Sequence, residues 1–152
     1  MFGQKKSQEI FQGIKWRVFG KEKYGTSWQT FDENWYTEIH ELNYLLHKNF
    51  KQFLKSKNNN IKTVLEVGCG AGIYPIKNKE LFSGISFTGI DISKPAIEYC
   101  KKNSSFEFLS GDILKMNLTE KYDLVFSHAV IDHVYDIDGF ITKLVSLCKK
   151  FV

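Results

Sequence analysis

The segment Glu66-Val67-Gly68-Cys69-Gly70-Ala71-Gly72 sets an acid ahead of three alternate glycines. Glycines in such a run let the chain turn sharply and leave bare peptide against which a ligand can lie, at the carboxyl end of a strand where open α/β sheets bind their ligands. Further along, Thr88-Gly89-Ile90-Asp91 ends a second apolar run on a carboxylate. An acid at the tip of the neighbouring strand can accept from both ribose hydroxyls of an adenosine, each bond to a charged group being worth about 1.5–3 kcal/mol. A third run leads into Ser110-Gly111-Asp112-Ile113, where Asp112 can accept from an exocyclic amine and Ile113 can pack on the base. After the fourth run, Ser127, His128 and His133 face the same rim. Imidazole titrates near neutrality, so His128 and His133 are the candidate general bases. Taken singly, each piece has a structural alternative: a plain strand-to-helix turn, an N-cap or turn aspartate, a helix-flanking histidine.

The elements that must position these groups read as follows. Short apolar runs at 61–67, 86–91, 106–109 and 122–127 predict strands, and the segments near 73–83, 94–103 and 137–149 predict helices between and after them. Pro95 fits the first turn of the second of these, with Ser93 as its cap. Alternating β and α elements imply parallel strands with helices on both faces. Ahead of them, Thr30 and Glu33 have capping-box spacing, and Trp35, Ile39, Leu42, Leu46, Phe50 and Phe53 recur every three or four residues. That is a long amphipathic helix ending near the Lys57-Asn58-Asn59-Asn60 turn. Residues 1 to about 30 are aromatic and glycine-punctuated and read as an arm, in which Tyr24 and Trp28, with Tyr36 beyond them, either close over the site or pack on the helix. The expected division is thus an arm and amphipathic helix over 1–57 and a binding core over 58–152, in one structural domain.

With 152 residues the chain is long enough for one sizeable core, and 43% apolar with 25% charged residues is ordinary globular composition. A formal net charge of +4 comes from lysines scattered along the chain, which does not mark a nucleic-acid binder. Cys69, Cys100 and Cys148 lack the paired spacings of a zinc site or disulfide framework, so reduced thiols, no metal and a cytoplasmic location are expected. The opening MFGQKKSQEI is not a secretory signal, and no apolar run approaches the roughly 20 residues that span a bilayer.

A nicotinamide-dinucleotide fingerprint does not fit the glycines. G-x-G-x-x-G started at Gly68 meets Ile73, and started at Gly70 it meets Pro75. Taken together, VLEVGCGAG, GIDIS, GDI and YDLVFSHAVIDHV resemble the class I S-adenosylmethionine-dependent methyltransferases of small-molecule type, over residues 61 to about 150. The resemblance implies a Rossmann-like sheet and S-adenosylmethionine as cofactor. It implies that Glu66, Gly68, Cys69, Gly70 and Gly72 hold the methionine part, that Asp91 binds the ribose and that Ile92 flanks the adenine. Asp112 and Ile113 would complete the adenine pocket, and Ser127 or His128 would lie at the methionine end.

The chain departs from the family pattern at its C-terminus. The family's Lys-Pro-Gly-Gly-like turn, fifth parallel strand and antiparallel pair are not legible after the last helix, so the sheet is expected to lack the usual last three strands. That would leave Leu124-Val125-Phe126 as an open edge, available for homo- or hetero-oligomerisation. Two functions follow: a methyltransferase acting on a small-molecule acceptor, or a catalytically silent cofactor-binding partner subunit whose edge another chain covers. Nucleic-acid amino methylation is not expected, because His128-Ala129-Val130-Ile131 stands where an Asn/Asp-Pro-Pro-aromatic motif would be.

Overall fold

The structure is a computed structural model and describes residues 44–57 and 60–152. The arm, including Tyr24, Trp28 and Tyr36, and the first part of the expected amphipathic helix lie outside the described residues. Within them the order is α1 (Tyr44–Lys57), β1 (Thr63–Val67), α2 (Ile73–Lys77), a 3-10 turn (Lys79–Phe82), β2 (Ser86–Asp91) and α3 (Lys94–Asn103). The chain continues through β3 (Glu107–Ser110), β4 (Tyr122–Phe126), a 3-10 turn (Ile131–His133), α4 (Ile137–Leu147) and β5 (Cys148–Phe151).

All five strands are parallel, in the order β3-β2-β1-β4-β5. From β1 the chain moves outward to β2 and β3, then returns to the other side of β1 for β4 and β5. The order therefore reverses between β1 and β4, which is the switch point at which such sheets open a ligand crevice. Central strands are wrapped on both faces, so they carry near-continuous apolar runs. Val64, Leu65, Glu66 and Val67 of β1 are all buried, as are Tyr122 to Val125 of β4. The edge strands β3 and β5 instead expose Glu107 and the pair Lys149 and Lys150, charges that discourage further pairing.

Strand alternation divides the core into two layers. On one face Val64, Phe87, Phe108 and Leu124 meet Leu54 of α1, Tyr74 of α2, Phe82, and Ile97 and Cys100 of α3. On the other, Leu65, Val67, Ile90 and Val125 meet Ile113 and the α4 residues Phe140, Leu144 and Leu147. Helices thus lie on both faces, and α1 is held by Leu54 and by Phe50, whose ring sits 4.5 Å from that of Phe126. Among the described residues no helix is long and apolar enough to cross a membrane.

Three sequence expectations are corrected. The sheet does not stop at four strands: Tyr122 and Leu124 pair with Cys148 and Phe151, so β5 occupies the β4 edge that was expected to be open for oligomerisation. Helix α4 ends at Leu147 rather than 149, its Cys148 amide still bonded to the Val145 carbonyl as the chain extends. The helix expected over 73–83 breaks at Asn78, whose side chain donates to the Ile73 carbonyl and whose backbone leaves the helical region at φ −129°. Polar side chains that bond nearby backbone in this way compete with helix propagation.

Candidate functional site

The glycine bend begins without a break in pairing. Gly68 and Cys69 amides both donate to the Ile90 carbonyl, at 2.7 and 3.1 Å, so β1 stays fastened to β2 for one residue past its end before turning. Gly68, Gly70 and Gly72 all have left-handed φ, at 80°, 50° and 68°, where an L side chain is strained. At Gly68 there is a second constraint, because a Cβ there would collide with the Val130 side chain. The bend then closes on itself through Gly72 N–H to the Cys69 carbonyl and passes into α2.

Asp91 stands beside this bend. Its Oδ2 accepts from the Gly70 amide at 2.8 Å and its Oδ1 from the Ser93 amide at 2.8 Å. One carboxylate therefore ties the tip of β2 to the glycine loop and also starts α3. The Ser93 hydroxyl, expected to cap α3, makes no cap bond, and Asp91 does the local work instead. Burial raises the Asp91 pKa, against the lowering effect of the amides of Ser93, Gly70 and Ile92. A carboxylate has about four acceptor positions, so these three amides leave it capacity for about one further donor.

Glu66 is the most unusual group on the rim. It is 3% exposed, and its Oε2 has no hydrogen-bond partner among the described residues. Desolvation, then the neighbouring Cys100 and Asp91, push its carboxyl well above the ordinary range. Leaving a buried carboxyl oxygen unmatched costs of the order of 1–3 kcal/mol. Beneath the bend, the Cys100 thiol donates to the Gly70 carbonyl at 3.4 Å and the Cys69 thiol approaches the same oxygen at 3.9 Å. All three cysteines are free thiols, and burial pushes Cys69 up, so it is an inert packing group.

On the β3 side Asp112 is already engaged. Its Oδ1 accepts from the Leu114 amide at 3.0 Å and its Oδ2 from the Tyr135 hydroxyl at 3.1 Å, with Lys115 Nζ 3.3 Å from Oδ2. Ile113 is 5% exposed and packs with Val67 and Ile90, while Ile92 is half-buried at the tip of β2. On the β4 side the Ser127 hydroxyl donates to the Val67 carbonyl at 2.8 Å, pinning the start of the following segment to β1. His128 is half-buried with its ring 6.0 Å from that of Tyr74, and burial lowers its pKa. His133 sits on the Ile131–His133 turn with Nε2 3.3 Å from Asp132 Oδ2.

The structure thus brings Glu66, the glycine bend, Asp91, Ile92, Asp112, Ile113, Ser127 and His128 to one rim of the sheet. His133 engages its neighbour Asp132. Sequence reasoning missed Val130, which lies over Gly68, and Tyr135, which reaches Asp112; no spacing rule links these positions, because the contact depends on how the segment after β4 folds back. No group of three or more His, Cys, Asp or Glu residues that could hold a metal ion occurs among the described residues.

A parallel sheet with this strand order, carrying a glycine bend and a β2-tip carboxylate at its switch point, has the architecture of the class I methyltransferases. The chain belongs to that family: residues 58–152 match the family model described as a methyltransferase domain. It is 36% identical over 90 residues to a malonyl-[acyl-carrier protein] O-methyltransferase of Acetivibrio thermocellus, covering 57% of this chain and 32% of that protein. It is 34% identical over 112 residues to a ubiquinone biosynthesis O-methyltransferase of Pelagibacter ubique, covering 68% of this chain and 44% of that one. The fold matches the magnesium protoporphyrin IX methyltransferase of Synechocystis PCC 6803 with a TM-score of 0.60 at 20% identity, over 91% of this chain and 66% of that one. The chain spans about a third to a half of the length of these two O-methyltransferases.

Proposed function

We propose that this chain binds S-adenosylmethionine along the carboxyl rim of its sheet and serves methyl transfer to an oxygen atom of a small-molecule acceptor. The observation that supports it most is the 2.8 Å bond from the Gly70 amide to Asp91, which sets a bare peptide bend beside a carboxylate suited to ribose hydroxyls. The unmatched Glu66 Oε2 suits a cationic ammonium, and the left-handed glycine bend offers bare peptide for the methionine part to lie against. When bound, the cofactor supplies an electrophilic methyl group on a sulfonium.

The residues of this chain bind and align. Glu66 and the backbone of Gly68, Cys69, Gly70 and Gly72 hold the amino-acid end. Asp91 takes a ribose hydroxyl on its remaining acceptor position, and Ile92 flanks the base that Asp112 and Ile113 receive. Ser127 fixes the floor beside them through Val67. Direct displacement needs alignment and exclusion of water more than covalent help, so no nucleophilic side chain is required. His128, held neutral by burial, accepts the proton of a hydroxyl or acid acceptor. The two O-methyltransferase relatives favour oxygen as the acceptor atom.

The silent-partner reading loses its structural motive, because β5 already lies where the open β4 edge was expected. The test is calorimetric titration with S-adenosylmethionine, together with release of S-adenosylhomocysteine against a panel of carboxylic acids and phenols. Asp91→Ala is expected to weaken binding at least about tenfold, the loss of one bond to a charged group. Unchanged affinity in that variant would refute the ribose assignment, and absence of binding by the unaltered chain would refute the cofactor.

A further inference from the structure

The segment after β4 does not simply lead to α4; it runs back across the rim. Ser127 is pinned to Val67 at the end of β1, Ala129 takes a left-handed φ of 56°, and Val130 lies against Gly68. The His133 amide then closes onto the Val130 carbonyl at 2.8 Å, and Tyr135 reaches Asp112 in the loop after β3. Because β1 and β2 separate β4 from β3 in the sheet, this segment passes the glycine bend before it is fastened at Asp112.

At its far end the acceptor inventory of Asp112 becomes informative. A carboxylate offers about four acceptor positions, two on each oxygen. Oδ2 takes the Tyr135 hydroxyl and the Lys115 ammonium, and Oδ1 takes the Leu114 amide. One position is left, on Oδ1, in a side chain that is 10% exposed overall. Of the two donors on Oδ2, Lys115 is 77% exposed and solvent-screened, so Tyr135 is the one that fixes the carboxylate plane.

We propose that Tyr135 is a positioning residue for base recognition: its hydroxyl holds Asp112 so that Oδ1 presents a single acceptor to the exocyclic amine of the bound nucleoside. The inference rests on the reading of Asp112 as the adenine-side ligand. It makes the β4–α4 segment part of the specificity of the site, by coupling the choice of base to the same strap that packs on Gly68.

The experiment compares S-adenosylhomocysteine with S-inosylhomocysteine, which carries an oxo group where adenine has its amine, by calorimetry on the full chain. The unaltered protein is expected to prefer the adenosine form at least about tenfold, one hydrogen bond to a carboxylate. Tyr135→Phe, which keeps the ring and its packing, is expected to reduce that preference to about threefold or less, with S-inosylhomocysteine affinity changed by no more than about twofold. Asp112→Ala should erase the preference. Full preference retained in Tyr135→Phe, with Asp112→Ala erasing it, overturns the role of Tyr135 alone. No preference in the unaltered chain, or preference surviving in Asp112→Ala, overturns the assignment of Asp112 and the proposal with it. An equal loss of affinity for both ligands in Tyr135→Phe would show a merely structural hydroxyl and would also overturn the proposal.

Discussion

Two buried acids at opposite ends of the sheet show how differently one fold can treat a carboxyl group. At the amino end, Asp123 Oδ2 accepts from the Lys62 and Thr63 amides at 2.8 and 3.2 Å, and Oδ1 lies 3.0 Å from Lys150 Nζ. Lys150 and those amides lower its pKa to about 2. At the carboxyl end, Glu66 lies deeper, has an oxygen unmatched among the described residues and is pushed upward by desolvation. The first charge is complete within the fold and serves to lock β4 and β5 to the entry of β1. The second has an oxygen with no partner among the described residues, and we propose that a cation from outside supplies it. On that proposal the first acid reports on stability and the second on binding.

Removing the complete carboxylate should have the largest effect. Asp123→Ala strands two amides and Lys150, and is expected to cost roughly 2–4 kcal/mol in urea unfolding while cofactor affinity stays within about twofold. The reverse is expected at the other end. Glu66→Gln should weaken S-adenosylmethionine binding about 10–30-fold in calorimetry, the loss of a charged partner, without lowering Tm. A parallel loss of stability in Glu66→Gln would erase the contrast between the two ends.

pH separates the two acids in a second way. Asp123 is depressed in the fold, so its stabilisation is present above its ordinary value of 3.8 and disappears as pH falls through about 2. Glu66 is raised, so the ligand-free fold loses its contribution as pH climbs toward the raised value, and a bound cation restores the charged form. Cofactor binding should therefore release a proton, visible as a buffer-dependent heat, and affinity should rise by up to about tenfold per pH unit above the ordinary Glu66 range. Glu66→Gln should abolish the buffer dependence. The smallest effect is expected from Lys150→Met: a half-exposed ion pair to Asp123 is worth about 0.5–1 kcal/mol, and its loss should move the acid unfolding midpoint slightly upward.

Much of this was legible in the residues themselves. Acid, alternate glycines and a second strand ending in Asp91 have one economical arrangement, and the 2.8 Å bond from Gly70 to Asp91 realises it. The central strands were readable because burial on both faces forces continuous apolar runs. β5 was not, because Cys148 continues the α4 spacing of Phe140, Leu144 and Leu147, and a four-residue edge strand reading Cys-Lys-Lys-Phe has almost no alternation to announce it. Its pairing also carries a register irregularity between Tyr122 and Leu124. Tyr135 was invisible for a different reason: its partner is fixed by the path of a loop, and no local periodicity encodes such a path.

The aromatic side chains on one face of the sheet have a magnetic consequence. Phe50 lies 5.0 Å from Tyr74 and 4.5 Å from Phe126, and Tyr74 lies 6.0 Å from His128, so a continuous series of rings joins α1 to the rim. An imidazole at the end of such a series experiences the ring currents of its neighbours. The carbon-bound protons of His128 should accordingly resonate away from their random-coil positions, and Phe50→Leu should return them part of the way, making one histidine signal a spectroscopic gauge of how α1 is seated.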